Sequence, residues 1–128
     1  MKANELRLGN LLQTKEGNRL GSVLRIIPNR IQLKMFCSTL STGLGDIEPI
    51  PLTEEWLLKC GAYWEDIISE KDAFVIDIHE ELSIGWCGYL FLIISGCIVQ
   101  INDTNSIYLH QLQNLFYNLK GTELTLNK

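Results

Sequence analysis

The sequence predicts an α+β fold: an N-terminal antiparallel β meander, a short helix, a mostly antiparallel sheet, and a C-terminal amphipathic helix packed on that sheet. Three observations carry this prediction. Two tight turns, Lys15-Glu16-Gly17-Asn18 and Pro28-Asn29-Arg30, separate short apolar runs near the start of the chain. Thr53-Glu54-Glu55 is a helix-start signal. Leu109, Leu112, Phe116 and Leu119 recur at three- and four-residue spacing, the period of one helix face.

The elements follow in order. Leu11 to Thr14 and Leu20 to Ile27 read as strands. Ile31-Gln32-Leu33-Lys34-Met35 alternates, so Ile31, Leu33 and Met35 should face inward while Gln32 and Lys34 face water. Such a meander is of the kind found in small SH3-like barrels. Ser38 to Asp46 is rich in Ser, Thr and Gly and reads as a loop, and Glu48-Pro49-Ile50-Pro51 reads as extended chain. Thr53 then caps a helix of about eight residues, with Leu52 and Leu57 placed as a hydrophobic staple and Gly61 as the terminator.

Beyond that helix, Tyr63 to Ile68 and Ala73 to His79 flank the polar turn Ser69-Glu70-Lys71-Asp72, with Phe74, Ile76 and Ile78 on one face. Gly85 to Ile94 and Cys97 to Ile101 flank Ser95-Gly96, a two-residue hairpin turn. Both strands are apolar on both faces, so both are expected at the centre of a sheet. Asn102 to Ser106 is a polar break, Ile107 to Leu119 is helical, Gly121 ends that helix, and Glu123 to Leu126 reads as a last short strand.

A chain of 128 residues fits a single domain that buries its core without disulfides or metals. Within it, residues 1–47 form a basic meander and loop, and residues 48–128 an acidic α+β part. Residues 1–35 hold seven basic and two acidic groups, or +5; residues 36–128 hold four basic and thirteen acidic, or −9. A basic surface of this kind serves nucleic acid or an acidic partner, or it docks on the acidic remainder of the same fold. The longest apolar run, Tyr89 to Ile101, is too short for a bilayer and is broken by Ser95-Gly96 and Gln100, so no membrane contact is expected. No secretory pattern opens the chain. Cys37, Cys60, Cys87 and Cys97 form no CxxC pair, and each adjoins apolar residues. They read as reduced core thiols of a cytoplasmic protein, with neither metal nor cofactor expected.

Three stretches carry a resemblance. These are Asn4-Glu5-Leu6-Arg7-Leu8-Gly9-Asn10, then Ile47-Glu48-Pro49-Ile50-Pro51-Leu52-Thr53-Glu54-Glu55-Trp56-Leu57-Leu58, and finally Tyr108-Leu109-His110-Gln111-Leu112-Gln113-Asn114-Leu115-Phe116-Tyr117 with Leu119, Gly121, Glu123 and Leu124. In order and approximate spacing they resemble a family of small proteins from phages, prophages and mobile elements of gut bacteria. Asn118 departs from the small residue expected there. The family has no established activity, so the resemblance brings no catalytic residue. It implies an accessory protein working inside the bacterial cell.

Candidate chemistry is sparse. Asp77, His79 and Glu81 alternate, which on a strand puts all three on one face; metal or acid–base work is one reading and a water-facing strand the plainer one. His110, Gln113, Asn114 and Tyr117 share a helix face that is polar and uncharged, fit for a buried polar network or a partner contact. A nucleophile pairing of His110 with Cys87 or Cys97 has no local signature. Trp56, Trp64 and Trp86 with Tyr63 and Tyr89 lack interleaved basic residues, which favours a core role over base stacking. The function expected is therefore non-enzymatic protein binding. The alternatives are a nucleic-acid binder using Arg7, Arg19, Arg25 and Arg30, a small enzyme, and a virion component.

Overall fold

The computed structural model of the protein describes residues 6–28, 30–68, 71–87, 90–95, 97–100 and 107–124. Several sequence readings fall outside these residues: Asn4-Glu5, Asn29 of the second turn, Ser69-Glu70, Tyr89, Gly96, Ile101, the Asn102–Ser106 break, and the end of the expected last strand beyond Leu124. The chain forms two antiparallel five-stranded sheets with helices, a mixed α+β fold dominated by sheet. It divides into two compact units. One comprises Met1–Pro51 and Tyr108–Asn114, the other Leu52–Ile107 and Leu115–Lys128.

The first unit holds β1 (Leu11–Thr14), β2 (Leu20–Ile27), β3 (Arg30–Lys34), β4 (Thr39–Gly43), one turn of 3-10 helix (Leu44–Asp46) and β5 (Ile47–Glu48). The strand order is β4-β3-β2-β1-β5. Gly17 and Asn18 both adopt positive φ, +80° and +47°, which lets the β1–β2 connection reverse tightly. The alternation in β3 works as its sequence dictates: Ile31 and Leu33, with Met35 just beyond, are buried, while Lys34 is exposed. They pack with Leu6, Leu12, Val23 and Ile47 into one core. The Ser38–Asp46 segment is not the loop its composition predicts. Arg30 to Lys34 pair residue for residue with Gly43 to Thr39, and this ladder overrides the turn propensity of Ser, Thr and Gly.

The second unit holds α1 (Glu54–Lys59), β6 (Tyr63–Ile68), β7 (Lys71–His79), β8 (Leu82–Trp86), β9 (Leu90–Ile94) and β10 (Cys97–Gln100), its strands ordered β10-β9-β8-β7-β6. The α1 signals act locally as read. Thr53 Oγ1 accepts from the Trp56 N–H at 3.4 Å, and Gly61 takes φ +84°. The helix has six residues rather than eight, because the Cys60 N–H already bifurcates between the Trp56 and Leu57 carbonyls. In β7, Ala73 to Ile76 and Ile78 are all buried, so both faces of this strand are covered.

Two strand readings need correction. Gly85 to Ile94 is not one strand: the chain leaves β8 at Trp86 and re-enters the sheet as β9 at Leu90. Gly85 then faces Phe91, whose ring lies where a Gly85 Cβ would stand. Nor is Cys97–Ile101 central. β10 ends the strand order, and all four of its residues are exposed.

α2 (Leu109–Lys120) belongs to both units by its two halves. Leu109 and Leu112 are fully buried and Phe116 is buried, as the apolar period requires. In the second unit the Lys120 ammonium donates to the Ile78 carbonyl of β7. Gly121 (φ +82°) ends the helix, its N–H donating to the Tyr117 carbonyl.

Candidate interaction surfaces

The polar face of α2 resolves into separate roles. Arg7 to Asn10 form a turn of their own: the Arg7 N–H donates to Asn10 Oδ1 at 2.7 Å, the Asn10 N–H to the Arg7 carbonyl at 3.1 Å, and Gly9 sits at φ +92°. Onto this turn α2 places two side chains. Gln113, 2% exposed, accepts from the Leu11 N–H at 2.8 Å and donates to the Gly9 carbonyl at 3.3 Å. Asn114 Oδ1 accepts from Asn10 Nδ2 at 2.8 Å and Arg7 Nε at 3.1 Å. Arg7 also donates to the carbonyls of Gln113 and Leu8. A third stretch joins them: the Leu109 N–H donates to the Ile50 carbonyl at 2.7 Å, and Pro51 bridges to Tyr108. Leu6–Asn10, Ile47–Pro51 and Tyr108–Asn114, parts of the three stretches that carry the resemblance, thus lie in one unit, where Gln113 and Asn114 bond to the backbone and side chains of the opening turn and to Arg7.

His110 is buried, its ring stacked at 6.1 Å and 10° on Tyr108, whereas Tyr117 stands 41% exposed. Of the predicted face, Gln113 and Asn114 share the network around the Arg7–Asn10 turn. The arginines divide as well. Arg7 is half-buried in the network, while Arg19, Arg25 and Arg30 are exposed. Arg30 donates to Ser41 through both Nε and Nη2. Lys15, Glu16, Arg19 and Asp46 line an open cleft of about 620 Å³ beside the β1–β2 turn, with cations and carboxylates mixed.

Asp77, His79 and Glu81 do not converge. A register shift between Asp77 and His79 breaks the alternation, and Glu81 lies past the strand in the turn. Asp77 accepts from Tyr63 Oη at 2.8 Å and Ser83 Oγ at 3.0 Å, and Glu81 accepts from Ser95. Among the described residues no group of three metal-ligating side chains comes together. Trp64, Phe74 and Trp86 form an aromatic row across β6, β7 and β8, with centroids 4.6 and 6.4 Å apart. All four cysteines are free thiols. Cys37 and Cys97 are exposed; Cys60 is buried, and burial pushes its thiol from 9.0 up to about 12, unsuited to nucleophilic work. No helix among the described residues is long and apolar enough to cross a membrane.

Two surfaces escaped the sequence reading. Phe36 sits at the β3–β4 turn, closed by the Met35 N–H donating to the Ser38 carbonyl at 2.8 Å, and is fully exposed at 101%. The signal was present, because Phe-Cys occupies turn positions that Gly, Asn, Asp or Pro usually fill. The second is β10, where Ile98 and Val99 are 41% and 48% exposed beside Ile94. Its apolar character was visible in the sequence, but its edge position was not. No protein-family model, characterised protein or solved structure matches this chain.

Proposed function

We propose that this is a non-enzymatic accessory protein of a phage or other mobile element that binds a protein partner in the bacterial cytoplasm, with Phe36 as its anchor. The observation that carries the reading is the full exposure of Phe36 on a hydrogen-bonded turn. Aromatic side chains are enriched at interface centres, and burying one contributes about 1.5–3 kcal/mol. An ordered turn presents it with little further loss of backbone entropy. Lys34, exposed just before the turn, favours a partner whose apolar pocket has an acidic rim. The β4-β3-β2-β1-β5 order, with a 3-10 turn before β5, supports an SH3-like barrel for this unit. The family resemblance supports the accessory role.

The test is affinity capture of tagged wild-type and Phe36→Ala protein from a phage-bearing host, with and without nuclease. A stoichiometric, nuclease-resistant protein recovered by the wild type and lost by the variant is expected. Equal recovery by both, or no protein at all, overturns the reading. A second reading rests on the exposure of Arg19, Arg25 and Arg30 on the meander. In that case nucleic acid appears in the eluate and is lost with nuclease or added salt.

A further inference from the structure

The outer face of the meander carries one sign of charge. In β3, Ile31 and Leu33 lie in the core, so Arg30, Gln32 and Lys34 share the opposite face. The register extends that face to the neighbouring strands, because residues directly opposed in an antiparallel pair stand on the same side. Arg25 of β2 and Ser41 of β4 flank Gln32, and Ser22 and Thr39 flank Lys34. Arg25, Arg30, Lys34, Thr39 and Ser41 are exposed. Arg30 lies along the sheet, its Nε and Nη2 donating to Ser41. No carboxylate occurs in β2, β3 or β4. Glu48 is in register with this face, but on β5, two strands away from β2, where it accepts from Gln13 Nε2 at 2.9 Å. Arg19 belongs elsewhere: it lines the cleft with Leu40 and Thr42, which alternate with Ser41 and so lie on the other side of β4.

We propose that this face binds the phosphate backbone of single-stranded nucleic acid, with Arg25, Arg30 and Lys34 as its cationic contacts. This rests on the nucleic-acid reading above, with Lys34 in place of Arg19, and is independent of Phe36. Strand geometry spaces the cations: Arg30 and Lys34 stand about 13 Å apart along β3, and Arg25 lies beside Gln32, midway between them. Three charges so placed follow a chain of phosphates, and the hydroxyl and amide groups of Ser22, Gln32, Thr39 and Ser41 are further donors to phosphate oxygens. The same composition disfavours a folded protein partner. Such an interface has an apolar centre, whereas the centre of this face is Gln32, ringed by Arg25, Arg30, Lys34 and Ser41. A duplex fits poorly too. Its major groove, about 12 Å wide, admits a two-stranded ribbon, and the face of three paired strands is broader than that. The unit that carries the face holds seven basic and four acidic groups, or +3, and the rest of the chain four and eleven, or −7. Attraction is therefore confined to this unit, and three phosphate contacts place the dissociation constant in the non-specific range, about 1–100 μM.

Fluorescence anisotropy of a labelled oligothymidylate of about 15 nucleotides, titrated with the full chain, tests the face. Binding is expected, with log K falling against log salt at a slope of about −2, the value for three phosphate contacts on a single strand. Arg25→Gln and Lys34→Gln should each flatten that slope by about 0.7 and weaken binding roughly fivefold near 0.1 M salt. Arg19→Gln removes the same charge from the cleft and should change affinity by less than about twofold, and a duplex of equal length should bind more weakly than the single strand. No binding even at low salt overturns the proposal together with the nucleic-acid reading. Binding that Arg19→Gln weakens as much as Arg25→Gln, or that the duplex matches, overturns the proposal alone. An oligoglutamate of equal charge that binds as tightly overturns the choice of nucleic acid and gives the face to an acidic protein segment. Arg25 and Lys34 are both exposed, and either variant suffices should the other fail to fold.

Discussion

Asn10 and Asn114 are separated by 104 positions in the chain, yet their side chains meet at 2.8 Å, Asn10 Nδ2 donating to Asn114 Oδ1. Asn10 is completely buried, and the same Asn114 oxygen also accepts from Arg7 Nε. One amide therefore holds the turn before β1 to the first half of α2.

Asn114→Ala should destabilise the protein by about 1–3 kcal/mol, since it strips an acceptor from a buried amide and from a half-buried guanidinium. Asn114→Asp, which keeps an acceptor and adds charge assistance toward Arg7, should lose less. Urea unfolding of the two variants checks the order. Equal losses would mean that the pairing with Arg7 contributes little.

Gln113→Leu keeps the side chain's bulk but leaves the Leu11 N–H without its side-chain acceptor in a buried place. The expected cost is again about 1–3 kcal/mol. Hydrogen exchange gives a sharper readout: the Leu11 amide should lose more protection than amides of β8 or β9. A uniform loss across both units would instead signal a global effect.

Gly85→Ala puts a methyl group 2.2 Å from ring atoms of Phe91, which is fully buried and so has little room to swing aside. Overpacking of this kind costs about 1–3 kcal/mol. Phe91→Leu in the same chain should recover part of that loss, so the two changes should be less than additive. Strict additivity in denaturant midpoints would contradict the contact.

Cys60 gives a pH signature. Its folded thiol titrates near 12 against 9.0 for the ordinary group, so the thiol is more acidic in the unfolded chain. Its contribution to stability is complete below pH 9 and is lost as pH rises from there toward 12. Cys60→Ala should flatten the alkaline side of the stability profile. Under native conditions at neutral pH, a thiol reagent should label Cys37 and Cys97 quickly and Cys60 slowly.

The parts of this fold that were legible are those decided within a few residues. Thr53, Gly61 and Gly121 mark helix ends because the groups they satisfy are one turn away. The β3 alternation works because one face of that strand packs inward. The Gln113–Asn114 network was only half legible: an uncharged polar face beside Leu109 and Leu112 announced a partner, but the partner lies at the other end of the chain. β4 was hidden because Thr and Ser suit turns and strands alike, and β3 decides which. β10 was misplaced because hydrophobicity on both faces reports that a strand avoids water, without saying whose atoms exclude it. Phe36 was overlooked because the turn itself has no apolar period to interrupt.

The first unit takes its last seven residues, Tyr108–Asn114, from beyond most of the second. On the ribosome, the basic meander is made before the second sheet, but the Asn10 side-chain amide N–H and the Leu11 N–H wait for their acceptors on Asn114 and Gln113 until the start of α2 has emerged. The second sheet is made in the interval and can pair its strands in sequence order. The turn before β1 is thus completed only after the second sheet has been made, and a nonsense codon between that sheet and α2 leaves the turn without its bonds to Gln113 and Asn114.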